Sequence, residues 1–240
     1  MAQENRPALP DRAAAAAANA RAALGPGFVH LHVHSAYSLL EGALPIGRLV
    51  DMALQDEQPA LAITDRGNLF GALEFSEKAA EKGIQPILGI KLAVDFADRG
   101  EPQAGHLPAQ HPFVVLLAAT AEGYANLVGL ASKAHLDPPG GAQALPHVRL
   151  ADLAGAAGGL IALTGGPDGP LDMALAHGQS ALAAARMDAL SGMFGDRLYV
   201  ELQRHGKERP PTEAALLDLA YRRNVALVAT NQPYFASAAD

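Results

Sequence analysis

The segment His30-Leu31-His32-Val33-His34 carries the residue types and spacing best suited to chemistry in this chain. Side chains two residues apart on a strand share a face, so His30, His32 and His34 can project together. Two imidazoles at the end of one strand form half of a zinc, manganese or iron site. The alternative is a set of partly buried histidines bonded to backbone. Asp65, in Thr64-Asp65-Arg66-Gly67-Asn68, is a candidate ligand or general base. Equally, it can satisfy loop and helix N-terminal N–H groups, as Asp does routinely. Glu41 could bring a carboxylate toward the imidazoles, or be an exposed loop residue. His106, His111, His135, His147 and His177 form no spaced ligand set and read as solvated. With no cysteine, thiol nucleophiles, disulfides and Cys-based zinc sites are excluded together. No nucleophile elbow, P-loop or dinucleotide fingerprint is present. Gly165-Gly166-Pro167-Asp168-Gly169 lacks the Lys and Ser/Thr of a phosphate loop and reads as a turn.

These residues need elements to position them. The chain has 240 residues, 50% hydrophobic and 18% charged, enough apolar material for a sizeable core. Apolar runs predict strands at 28–33, 60–64, 84–94, 113–119, 159–164, 197–203 and 225–229, about seven in all. Helices are predicted near 45–57, 68–82, 121–135, 150–157, 179–194 and 211–223, with Pro45 and Pro211 at first turns and Gly83 and Asn224 past C-termini. Regular alternation implies a parallel α/β sheet or barrel, with chemistry on the loops that follow each strand. Residues 1–27, with Ala13 to Ala18 at their centre, read as a flexible Ala-rich leader. Residues 28–240 read as one domain. No apolar run approaches the roughly 18 residues that span a bilayer, and the chain is expected to be cytoplasmic. A net charge of −7 argues against a free-standing nucleic-acid binder.

The string Phe28-Val-His-Leu-His-Val-His-Ser-Ala-Tyr-Ser-Leu-Leu-Glu-Gly42 resembles the opening of the PHP (polymerase and histidinol phosphatase) domain of bacterial DNA polymerase III alpha subunits. The resemblance continues through residues 60–71, 83–89, 123–127, 198–203 and 228–231. It implies an irregular seven-stranded (β/α) barrel. Family members with an intact site hold up to three metal ions on nine His, Asp, Glu and Cys ligands. Carried over by position, His32 and His34 are kept, and Glu41 stands where the family has Asp. The other ligand positions are replaced by Arg66, Lys91, Phe113, Gly166, Gln232 and Tyr234; His111 is near Phe113 but out of register.

What the resemblance implies is a vestigial metal site. Arg66 and Lys91 put two cations into the cluster's place, so Asp65 and Glu41 should gain positive partners without a metal. No cofactor is expected, or at most one weakly bound zinc or manganese ion on His32, His34 and Glu41. The implied role is that of scaffold within a polymerase chain, docking a proofreading exonuclease subunit and meeting DNA only through that parent, with no membrane partner. The polymerase active site lies outside these residues. The rival readings are a metal-dependent phosphoesterase or 3′–5′ exonuclease with a reduced site, and an interaction module unrelated to replication.

Overall fold

The computed structural model describes residues 27–98, 111–141, 144–206 and 209–236. The predicted leader, Gly27 apart, lies outside them, as do His106 and most of the loop at 97–112. In chain order the elements are α1 (Ile46–Gln55), β1 (Ala60–Ile63), α2 (Ala72–Glu81), β2 (Gln85–Asp95) and β3 (Phe113–Ala118). Then come α3 (Ala121–Leu136), β4 (Val148–Arg149), α4 (Leu150–Gly155), β5 (Leu160–Leu163) and α5 (Pro170–Ala176). The chain continues through α6 (Ser180–Phe194), β6 (Leu198–Gln203), α7 (Glu213–Arg223) and β7 (Ala226–Thr230). A 3-10 turn at Gly166–Asp168 leads into α5. The sequence pattern misses α5, whose seven residues begin on Pro170, and the two-residue β4.

The strands form one curled sheet in the order β1-β2-β3-β5-β6-β7, with β4 on β2. Neighbours are parallel except at β3, which runs against both β2 and β5. The expected all-parallel sheet is corrected there. Among the described residues no helix separates β2 from β3, and a parallel neighbour needs a crossover connection.

Alternation across the sheet divides the core. Val114 and Leu116 of β3 join the large cluster beneath α3 to α7, while Val115 and Leu117 face inward with Ala62 and Leu163. Pair registers extend that inner face along Val115–Lys91, Val115–Leu163, Leu163–Tyr199, Glu201–Val228 and Gln203–Thr230. The inner face is therefore apolar at its centre and turns polar toward the C-terminal ends of the strands, at Lys91, Glu201, Gln203 and Thr230.

Residues 28–33 are not a regular strand. Ala62 N donates to His30 O at 2.9 Å and Thr64 N to Val33 O at 2.8 Å, so a step of three residues in this segment opposes a step of two in β1. That extra residue breaks the ladder, as in a bulge. On its far side His34 N donates to Pro233 O at 3.5 Å, so this segment bridges β1 and the chain after β7 across the curl. The break also separates the histidines. His30 packs edge-on to Phe28, with ring centroids 4.9 Å apart, and its N–H reaches Gln58. His32 and His34 alone meet, with centroids 5.4 Å apart.

Candidate functional site

His34 is fully buried, and both ring nitrogens are engaged. Nε2 lies 3.1 Å from the Gln232 amide nitrogen, which also donates to the Tyr234 hydroxyl at 2.6 Å. Nδ1 lies 2.9 Å from Ser38 Oγ. Burial first, then the charges of His32, Lys91 and Arg66, lower the His34 pKa to about 2, so the ring is neutral. A neutral ring that accepts at Nε2 must carry its proton on Nδ1 and donate to Ser38. Ser38 Oγ then donates to Asp65 Oδ1 at 2.6 Å and also accepts from Arg66 N–H at 3.1 Å. The Tyr234 ring stacks on His34 at 4.8 Å, and burial followed by the charges of Glu41 and Asp168 raises its pKa to about 12.

Asp65 accepts Ser35 N–H and Oγ–H as well, both at 2.7 Å. The expectation of a cationic partner for it is corrected. The chain turns back at Ser35–Ser38, so its own donors reach the carboxylate before Arg66 or Lys91 can. Glu41 does pair with Arg66. Lys91, 1% exposed, donates to Asp168 Oδ2 at 3.0 Å. Arg66 and Lys91 also lie over the Phe113 ring, at 4.5 and 5.3 Å from its centroid. Arg66, Lys91 and Phe113 thus form one cation–aromatic cluster. The space beside Gly166 is filled from the neighbouring strand β6. Gly166 has φ +63°, and a Cβ there would meet the Gln203 side chain at 2.6 Å.

His32 differs from His34. Its Nδ1 lies 2.6 Å from Glu201 Oε1, and its buried Nε2 has no partner. A carboxylate on one imidazole nitrogen with the other bare is the arrangement that second-sphere acids impose on metal-binding histidines. Gln203 Nε2 donates to Glu201 Oε1 at 2.8 Å, and Thr230 Oγ1 donates to the same oxygen. Burial acts to raise the Glu201 pKa, but His32 and these donors outweigh it, and the net direction is down.

The donor set can be weighed against a metal centre. His34 Nε2 is taken by an amide, Glu41 by a guanidinium, and an ammonium stands at Lys91, whereas His32 Nε2 is bare. A catalytic zinc takes about three protein ligands. Among the described residues no group of three or more His, Cys, Asp or Glu is arranged to hold a metal ion. The residues present do not fit the family's multi-ion cluster. Of the other histidines, His147 is buried rather than solvated, stacked on His111 at 4.0 Å with Nδ1 on Leu145 O at 2.7 Å.

The residues missed by the sequence reading are Glu201, Gln203, Ser38 and Asp168. For the first two a signal existed. Tyr199, Glu201 and Gln203 recur at period two in an otherwise apolar strand, which puts polar groups on one face. Ser38 and Asp168 reach the site through loop geometry that no spacing announces.

The curled β/α sheet, with histidines at its mouth, is a TIM-type architecture. Similar solved structures include two that differ widely in sequence. One is an amidohydrolase from Chromobacterium violaceum with bound sulfate and no metal, at TM-score 0.54 and 17% identity, covering 87% of this chain and 88% of that one. The other is a candidate metal-dependent phosphoesterase from Bifidobacterium adolescentis, at TM-score 0.51 and 15% identity, covering 85% and 87%. The PHP domain family model matches residues 30–205, and this chain belongs to the PHP domain family. It is 45% identical over 213 residues to DNA polymerase III subunit alpha of Caulobacter vibrioides, covering 88% of this chain and 18% of the relative. The corresponding subunit of Thermus aquaticus is 36% identical over 217 residues, covering 89% and 18%. The chain thus spans 18% of the length of these curated relatives. Among the described residues no helix is long and apolar enough to cross a membrane.

Proposed function

We propose that this chain is the PHP domain of a bacterial replicative polymerase of the DNA polymerase III alpha kind, with a degenerate metal site. It serves as a scaffold for the remainder of that chain and as the docking region for a separate proofreading exonuclease. Polymerase activity and DNA contact belong to the parent, which the net charge of −7 supports. The observation that carries the reading is the Gln232 amide on His34 Nε2, which occupies the nitrogen a metal would need. The Arg66–Glu41 and Lys91–Asp168 pairs add to it, since each places a cation where a divalent ion would be repelled.

The test is metal content of the purified chain by mass spectrometry after equilibration with zinc and manganese. Near-zero occupancy is expected, together with co-purification of the exonuclease subunit. One observation favours a second reading, a phosphoesterase with a reduced site. His32 keeps a bare Nε2 backed by Glu201, enough to anchor one weak ion. One or more ions per chain, lost in His32→Ala, with manganese-dependent phosphatase activity, would establish that reading and displace the first.

A further inference from the structure

A cavity of about 260 Å³ lies between α5, β6 and the start of α7. Much of its wall is apolar, formed by Pro167, Ala176, Leu202, Pro210 and Leu216. Two buried carboxylates line the same space, each with one oxygen unused. Asp172 is 7% exposed; Oδ1 accepts from Thr212 Oγ1 at 2.6 Å, and Oδ2 has no partner. Glu201 is 1% exposed; Oε1 takes His32, Gln203 and Thr230, and Oε2 has no partner. Glu213 also lines the cavity, but Arg204 holds it through two bonds of 2.6 and 2.7 Å.

A buried carboxylate oxygen without a donor is costly, and two acids lining one cavity repel each other. Burial, with a contribution from the Glu201 charge, raises the Asp172 pKa to about 6 against the pull of Thr212. A cation shared by both acids would relieve desolvation and repulsion together. The kind of cation follows from the walls. Hard divalent ions take about six oxygens and structural zinc four ligands. Here two oxygens are free, and no metal-ligating group of three exists among the described residues. An alkylammonium suits the site better. Its aliphatic stem can lie along the apolar wall, and its head has three donors and no acceptor.

We propose that this cavity binds an aliphatic primary ammonium, with its charge held between Asp172 Oδ2 and Glu201 Oε2. The group is either the side chain of a lysine in a protein segment or one end of a free polyamine. This assignment is independent of the polymerase reading.

The test is titration of the 240-residue chain, by calorimetry and amide NMR, with N-acetyl-lysine methylamide and separately with putrescine. Saturable binding is expected, with shifts at Asp172 and Thr212. It should weaken about tenfold or more in Asp172→Asn, as for loss of a charged hydrogen-bond partner. That variant keeps the side chain's size and the acceptor for Thr212. Ala176→Leu, at an exposed rim position, should weaken binding while leaving both acids in place. Tighter binding of the capped lysine assigns the site to a protein segment, and tighter putrescine to a free polyamine. Absence of saturable binding by either amine, equal binding in Asp172→Asn, or preferential uptake of manganese at these acids would overturn the proposal.

Discussion

Asp65 and Asp172 are buried almost alike, at 2% and 7% exposure, yet their surroundings are opposite. Asp65 receives Ser35 N–H, Ser35 Oγ–H and Ser38 Oγ–H at 2.6–2.7 Å, and through Ser38 it orients His34. Asp172 receives the Thr212 hydroxyl and leaves Oδ2 bare. The first acid lies under a loop that folds back and supplies its own donors. The second lies in the first turn of a seven-residue helix beside Glu201, another acid. Burial alone therefore says little about a charge in this fold. What decides is whether local chain geometry brings donors or leaves the group for a ligand.

The difference has consequences of opposite sign. Asp65→Ala strips three donors of their acceptor, and urea unfolding should show a loss of about 3 kcal/mol or more. A loss below about 1 kcal/mol would mean the Ser35–Ser38 loop finds other acceptors and that the contrast is shallow.

Asp172→Asn should act the other way, and with pH. The carboxyl pKa is raised from 3.8 to about 6, burial being the largest cause. Over that range the folded chain holds a proton that the unfolded chain releases. This group's contribution is therefore fully present below about pH 4 and is lost as pH rises through about 6. The Asn variant should be the more stable protein at pH 8, by up to about 3 kcal/mol, with the gap closing toward pH 4. Chemical denaturation at several pH values reads this directly. A parent more stable than the variant at pH 8 would mean Asp172 already has a counter-charge.

The smallest effect belongs to the mouth. Arg66→His loosens a pair whose side chains are 38% and 26% exposed, so stability should change by less than about 1 kcal/mol. A clear rise in melting temperature without added metal would show that the guanidinium neutralises nothing useful at Glu41. That outcome would weaken the charge-replacement argument.

Much of the fold was legible in the chain itself. The strands at 60–63, 113–118, 160–163 and 198–203 follow apolar runs, and the helices end close to their Gly and Asn signals. Apolar periodicity reports burial, and burial follows from a residue's own chemistry. The break at 28–33 was not legible, because one extra residue opposite β1 leaves no trace in an alternating His pattern. Nor was the reversal of β3, which depends on how the sheet is wound rather than on the strand's composition.

The candidate site divides along the same line. Residue identity alone determined that His32, His34, Arg66, Lys91, Gln232 and Tyr234 are the residues available to the site. Only the tertiary structure decided which group each one meets. Gln232 meets His34 across 198 residues, Glu201 meets His32 across 169, and Lys91 meets Asp168 across 77. A hydrogen bond is decided by distances of a few tenths of an ångström between groups that the winding of the sheet brings together, and sequence spacing has no bearing on such distances.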